Sequence, residues 1–332
     1  MQDFYEHAPE LKQELQSVQA TIEKTVESAH AFIRTLLRSH VQSGGKMLRP
    51  ALVLLCSQLG EESDRDKAIS IASVLEMIHL ASLAHDDIID SAKTRRGVPT
   101  LFAQTGAKQA VLAGDYLLAR ALALVSAEES GDTMNTQIVS NALARLCESE
   151  LEQDAGQGDF LISKTTYFRR IGGKTASLFA LSCYAGASVG KLSEIERMVC
   201  HRIGYAMGMA FQIQDDILDY VGNKERLGKL TGKDLKEGIP TLPLLLALEA
   251  EQEMNEQERK LTALLIPRNK PLSKVSVTKA VALVKTLGGV QKADYIAQSY
   301  KERALKDIQS LKNHEIGMQL TQLFEKLAVR SG

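Results

Sequence analysis

The stretch LAHDDIIDSAKTRRGVPT, residues 83–100, passes from apolar residues into three aspartates within five positions and then into Arg95-Arg96-Gly97. Carboxylates beside an apolar run are costly to bury unless a cation meets them. Asp86, Asp87 and Asp90 therefore read either as a solvated helix end or as half of a cation site, and for one isolated DDxxD the solvated end is the simpler reading. A second copy shifts the balance. FQIQDDILDY, residues 211–220, repeats the pattern with Asp215, Asp216 and Asp219 inside another apolar segment. On a helix, positions i and i+4 share a face, so Asp86 with Asp90, and Asp215 with Asp219, present carboxylate pairs separated by roughly 6 Å of rise. Converging carboxylates repel unless cations lie between them. Oxygen donors without His or Cys suit hard Mg²⁺, which takes one or two carboxylates and completes its shell with water and phosphate oxygens. Neither cluster has the alternating D-x-D-x-D-G loop of an EF-hand. The expectation is Mg²⁺ carrying a phosphate-bearing substrate.

Bulk properties narrow the class. A chain of 332 residues is long enough for one large domain or two ordinary ones. The net charge is −1, from 40 Lys+Arg and 41 Asp+Glu, which gives no global basic field and argues against a nucleic-acid partner. Cys56, Cys147, Cys183 and Cys200 form no CxxC pair, so reduced, buried thiols and a cytoplasmic location are expected. MQDFYEHAPELKQ at the N-terminus lacks the pattern of a targeting peptide, and no apolar stretch approaches the roughly 20 residues of a membrane span.

None of the seven prolines lies between Pro99 and Pro240, an interval that predicts successive helices. Residues 108–125 are apolar around most of a helical circumference, as in a helix buried among others. Residues 136–151 show a single apolar face containing Ile138, Leu143 and Leu146. Small residues in 172–190 and 204–210 allow close helix approach, and the Gly204-xxx-Gly208 pair reads as packing. The charged segment 251–275, with Pro267 and Pro271, is expected to hold a surface connection. These readings favour one all-α domain over the whole chain, 1–332.

Basic residues accompany the aspartates: Gly44-Gly45-Lys46-Met47-Leu48-Arg49-Pro50, Arg95-Arg96-Gly97, Gly173-Lys174-Thr175, and Gly228-Lys229-Leu230-Thr231-Gly232-Lys233-Asp234. Glycine lets backbone approach an anion, Arg offers a planar fork and Lys a point charge. GKLTGKD is not a Walker A loop, being one residue short and ending in Asp.

In the order GGKMLRP, HLASLAHDDIIDSAKTRRGVPT, GGKTASLF, GMAFQIQDDILDY and LGKLTGKDLKEGIPTLPLLLAL, the chain resembles the trans-isoprenyl diphosphate synthases, or polyprenyl synthetases. The resemblance covers roughly residues 40–250. It implies an isoprenoid-synthase helical bundle around a deep central cavity, with the aspartate motifs facing each other across its mouth, and usually a dimer. It also implies repeated condensation of an allylic diphosphate with isopentenyl diphosphate. Asp86, Asp90 and Asp215 are the first choices for direct Mg²⁺ ligands, with Asp87, Asp216 and Asp219 as ligands or as acceptors behind them. The family comparison places Arg95, Lys174, Lys229 and Lys233 on the allylic diphosphate, and Thr175 and Gln212 beside the developing cation. It places Lys46, Arg49, His79 and Arg96 on isopentenyl diphosphate. His79 alone would read as a satisfied core histidine, and His85 reads as packing.

In this family the residues just before the first aspartate motif line the product cavity. Ala81 and Ser82 are small here, with Met77 and Ile78 one turn farther along the same face. Without an aromatic plug, each added isoprene unit gains apolar burial at roughly 25 cal/mol per Å². A hexaprenyl, heptaprenyl or longer all-trans product, suited to a quinone side chain, is expected. The alternatives are a shorter farnesyl or geranylgeranyl synthase and a non-catalytic regulatory subunit. A terpene cyclase is disfavoured by the second anion set. The motifs also resemble the catalytic subunits of two-component heptaprenyl diphosphate synthases, so a homodimer or a heterodimer with a small regulatory subunit is expected, with transient membrane contact for product release. Ser149 departs from the glycine frequent in relatives, while Glu150 and Gln153 remain.

Overall fold

The stretch at 83–100 ends a long helix and begins a tight return. α4 (Arg65–Ile89) is capped at its start by Asp64, whose side chain accepts the Lys67 N–H, and it stops where Ser91 adopts a left-handed conformation (φ 50°). The Ala92 N–H then bonds back to the Asp87 carbonyl (2.9 Å), closing the turn in the manner of a Schellman ending. Two-residue strands follow, β1 (Thr94–Arg95) and β2 (Val98–Pro99), paired antiparallel with Arg95 opposite Val98. Thr100 Oγ1 caps α5 (Leu101–Thr105) by accepting the Ala103 N–H at 3.0 Å.

The computed structural model describes residues 4–42, 45–95, 97–127, 136–222, 231–266 and 272–328. The hairpin is the only strand pairing among them. Before α4 come α1 (Pro9–Glu27), α2 (Ala31–Gln42) and α3 (Leu48–Ser57); after α5 come α6 (Ala107–Ala127), α7 (Thr136–Ala155) and α8 (Lys164–Ile171). A π-helical turn, Gly172–Ala176, leads into α9 (Ser177–Val189) and α10 (Glu194–Val221). The remainder is α11 (Lys233–Glu237), α12 (Leu242–Gln252), α13 (Lys260–Leu265), α14 (Lys274–Thr286), α15 (Gly289–Gln309) and α16 (His314–Ala328). The chain divides into two compact units: Met1–Asn141, Leu181–His201 and Leu311–Leu320 form one, and Ala142–Ala180, Arg202–Ser310 and Thr321–Gly332 the other.

In the first unit, α4 packs against α6, α3 and α1. α1 contributes Leu11, Leu15, Val18, Ile22 and Val26, a 4-3-4-4 spacing that keeps one face inward. Each such buried side chain is worth about 1.5–3 kcal/mol of transfer free energy. His85 packs on α6 at Gly114, where any Cβ would collide with the imidazole ring, and its Nε2 lies 3.2 Å from the Val111 carbonyl. In the second unit, Ile213, Ile217 and Tyr220 of α10 share a core with Leu242, Leu244 and Leu246 of α12 and with Val277, Val281 and Val284 of α14. Gly204 and Gly208 let α10 close on Phe179, Ala180 and Ala176, the packing role expected of that pair.

Three sequence expectations need correction, and a fourth segment, 251–275, gains detail. Residues 108–125 are not enclosed all round: on α6 Leu112 is 58% exposed and Val111 40%, so an apolar face of this helix is left uncovered among the described residues. Among the described residues two helices, α4 and α6, are long and apolar enough by length and composition to cross a membrane. Counting uninterrupted apolar runs missed them because their isolated polar residues are diluted over a whole helix. Two thirds of the α4 window is buried within the fold, as in a core helix, against one third for α6. Cys56, Cys183 and Cys200 are buried, but Cys147 is exposed. The connection expected over 251–275 contains a 3₁₀ turn (Glu256–Glu258) and α13, whose first N–H groups, from Leu261 and Thr262, are accepted by the buried Glu251 carboxylate (2.6 and 2.7 Å). Pro267 and Pro271 lie outside the described residues.

Candidate active site

Both aspartate motifs fall in the last turns of their helices, α4 ending at Ile89 and α10 at Val221. A helix C-terminus carries the negative end of the macrodipole and disfavours carboxylates by about 0.3–1 kcal/mol each. Placing acids there opposes local stability and favours a cation.

In the first unit the motif is sorted by the helical repeat. Asp87 is buried (1% exposed); its Oδ1 accepts from Nε of Arg95 at 2.9 Å and is ion-paired with Nη2 at the same distance. The hairpin is what returns Arg95 to Asp87. Asp86 is half-buried and Asp90 exposed, one turn apart on another face. Arg95, expected on a diphosphate, is thus engaged by Asp87, and Arg96 lies outside the described residues. Upstream on α4, His79 is half-buried and its carbonyl accepts Ser82 Oγ at 2.8 Å. Met77, Ile78 and Ala81 are fully buried, and Ser82 is partly exposed. Lys46 and Met47 precede α3, with Met47 in the left-handed region (φ 48°). Arg49, in the first turn of α3, has its pKa pushed down to about 10 by desolvation, partly offset by Glu76, and remains a cation at neutral pH.

In the second unit Asp215 is exposed, Asp219 half-buried and Asp216 buried. Asp216 accepts from the Tyr167 hydroxyl at 2.6 Å and from Gln212 Nε2 at 3.0 Å. Because Gln212 donates through its amide nitrogen, its Oε1 is left to accept the Thr175 hydroxyl proton, at 2.7 Å. A chain Tyr167–Asp216–Gln212–Thr175 results, and it fixes the direction of every proton in it. Burial pushes the Asp216 pKa up to about 7, with Asp215 and Asp219 adding to the rise and the bonds from Tyr167 and Gln212 opposing it. Asp234 is pushed up to about 8 by burial and then by Asp216 and Asp219. Asp219 accepts the N–H groups of Lys233 (2.9 Å) and Asp234 (3.1 Å), which anchors the start of α11 and sets Lys233 on the surface. Lys229 lies outside the described residues.

The π-helical turn spans the Gly-Gly-Lys-Thr segment, and such turns occur often at functional positions. It carries Lys174, which pairs with Glu150 on α7 at 2.9 Å, and the Thr175 hydroxyl. Gly173 makes the turn possible, since a Cβ there would collide with Ser149 Oγ and sit 2.9 Å from the Arg145 carbonyl oxygen. Gly173→Ala is expected to cost ~2 kcal/mol by overpacking. Adding Ser149→Gly should return part of that loss, read as chemical-denaturation midpoints of the single and double variants.

The motifs alone did not reveal Tyr167 or Glu76, nor that Glu150 pairs with Lys174. Tyr167 donates across 49 residues, a pairing with no local sequence signal. For a divalent ion the donor chemistry fits: oxygen-only carboxylates, mutually repulsive in the second unit, at helix ends that favour positive charge. Among the described residues no three His, Cys, Asp or Glu side chains are gathered into a ready-made cage.

Comparison with known proteins gives a consistent neighbourhood. The sequence profile described as Polyprenyl synthetase matches residues 30–284. Heptaprenyl diphosphate synthase component 2 of Geobacillus stearothermophilus is 34% identical over 305 residues, 92% of each chain. A decaprenyl diphosphate synthase structure from Rhodobacter capsulatus superposes with a TM-score of 0.89 at 30% identity, covering 99% of both chains. A polyprenyl synthase from Caulobacter crescentus CB15, solved with calcium and isoprenyl diphosphate, gives 0.87 at 29% identity, covering 99% of this chain and 97% of that one.

Proposed function

The chain belongs to the polyprenyl synthetase family, and from that premise we propose that it condenses an allylic diphosphate repeatedly with isopentenyl diphosphate to a hexaprenyl, heptaprenyl or longer all-trans diphosphate, destined for a quinone side chain. The observation that carries this reading is the duplicated acidic motif in the closing turns of two helices, where Asp90 and Asp215 are exposed and Asp86 is half-buried while Asp87 and Asp216 turn inward.

In this reading Asp86, Asp90 and Asp215 hold Mg²⁺, and Asp87, Asp216 and Asp219 position the elements around them. The chemistry supplied by Mg²⁺ when bound is neutralisation of charge on the departing diphosphate. Lys174, Lys229, Lys233 and Arg95 bind that same diphosphate and stabilise the negative charge that grows as its C1–O bond breaks. Thr175 gives its one hydroxyl proton to Gln212, so its oxygen lone pairs are free to face the allylic cation. Lys46, Arg49, His79 and Arg96 hold the second diphosphate. The isopentenyl double bond attacks the allylic C1, a proton leaves C2 of the former isopentenyl unit to the released pyrophosphate, and a longer allylic diphosphate remains.

The Geobacillus relative carries the name component 2. On that ground we read the uncovered apolar face of α6, with Leu112 and Val111, as the seat of a second subunit. The function is tested by incorporation of labelled isopentenyl diphosphate: it should require an allylic primer, stop on chelation and return with Mg²⁺. Incorporation without a primer, or unaffected by chelation, would reject the reading.

A further inference from the structure

The candidate site leaves one feature unused: the extreme N-terminal segment is tied to the Lys46 loop. Tyr5 is 3% exposed and its hydroxyl donates to the Lys46 carbonyl at 2.7 Å, across 41 residues of sequence. Phe4 packs edge-on against Tyr5 (4.9 Å between ring centres), and the Lys46 ammonium lies 4.2 Å from the centre of the Phe4 ring. Tyr5 is also close enough to Glu76 for that carboxylate to raise the phenol pKa, after the larger effect of burial, and Glu76 acts on Arg49 too. Tyr5, Arg49 and Glu76 therefore share one electrostatic neighbourhood with the Lys46 loop, all within the first unit.

The physics of the two contacts differs. The Tyr5 bond fixes the backbone at Lys46, next to Met47, a non-glycine residue held at φ 48° where L side chains are disfavoured. A loop in that conformation needs an external tie to stay there. The Phe4 face steers the ammonium through the ring quadrupole and contributes no formal negative charge of its own.

We infer that Phe4 and Tyr5 are positioning residues for the isopentenyl diphosphate site, holding the Lys46 loop and its ammonium ready for the incoming anion. This rests on the assignment of Lys46 and Arg49 to isopentenyl diphosphate. Both contacts run to Lys46, so both residues act on binding of the substrate assigned to that lysine.

The test is a pair of substitutions in the full chain, Tyr5→Phe, which keeps the buried ring and removes the hydroxyl, and Phe4→Leu, which keeps apolar bulk and removes the aromatic face. Steady-state kinetics are taken for both substrates, with titration calorimetry using isopentenyl thiodiphosphate as the probe and thermal melts as the check on folding. Tyr5→Phe should raise KM for isopentenyl diphosphate and Kd for the thio analogue about tenfold, and Phe4→Leu about threefold, with kcat and the allylic KM within twofold of the parent. Unchanged isopentenyl KM and Kd in a parent that turns over would overturn the inference while leaving the function intact. Equal rises in both KM values, or a fall in kcat alone, would assign Tyr5 a general structural role and overturn it too. If Tyr5→Phe melts early, Phe4→Leu and the thio analogue decide by the same criteria. A parent that neither turns over nor binds the analogue would instead overturn the functional reading beneath.

Discussion

Alanine at Asp86 or at Asp215 is expected to lower kcat by about a hundredfold to a thousandfold, the scale of losing one charge-stabilising group aimed at a departing anion. The same changes are expected to leave the metal-free protein as stable as the parent. Asp215 is exposed, and its charge opposes ionisation of the buried Asp216, so removing it relieves that repulsion. Alanine at the neighbouring inward position should behave differently. Asp216→Ala leaves the Tyr167 hydroxyl and the Gln212 amide without their acceptor, a loss of about 1–3 kcal/mol for each buried group left unsatisfied. The discriminating data are kcat, the Mg²⁺ concentration for half-maximal rate, and the denaturation midpoint, measured for all three variants. Destabilisation by Asp215→Ala with turnover intact would assign the exposed aspartates to the fold.

The second large effect concerns product length. Phenylalanine at position 81 or 82 is expected to truncate the product by several isoprene units while turnover per condensation stays within a few-fold. Ala81 is fully buried on α4, so the added ring must displace neighbours, at about 1–3 kcal/mol. Ser82 is partly exposed and tolerates bulk more readily, so Ser82→Phe serves as the companion variant if Ala81→Phe melts early. Products are sized by reversed-phase chromatography after dephosphorylation. Unchanged length in both folded variants would remove these positions from control of chain length.

The sequence made different parts of the molecule legible for different physical reasons. Helices were readable because their apolar period and the proline-free interval are local signals, and the aspartates because a costly motif appears twice. Division of labour within each motif was less accessible, since inward and outward positions depend on how α4 and α10 are rotated against their neighbours. Tyr167, Glu150 and Tyr5 act over 49, 24 and 41 residues respectively, and no sequence window contains both partners. The exposed side of α6 was misread because an apolar helix looks the same in sequence whether its own chain or another covers it. Arg95 showed its charge in the sequence, but its bond to Asp87 depends on the hairpin.

The most direct test of the central claim is the size of the end product. Purified chain, alone and with a cognate second subunit, is incubated with Mg²⁺, labelled isopentenyl diphosphate and farnesyl or geranylgeranyl diphosphate. The account predicts a ladder of all-trans polyprenyl diphosphates ending at hexaprenyl or longer. An end product no longer than geranylgeranyl diphosphate, or no incorporation under either condition, would contradict it.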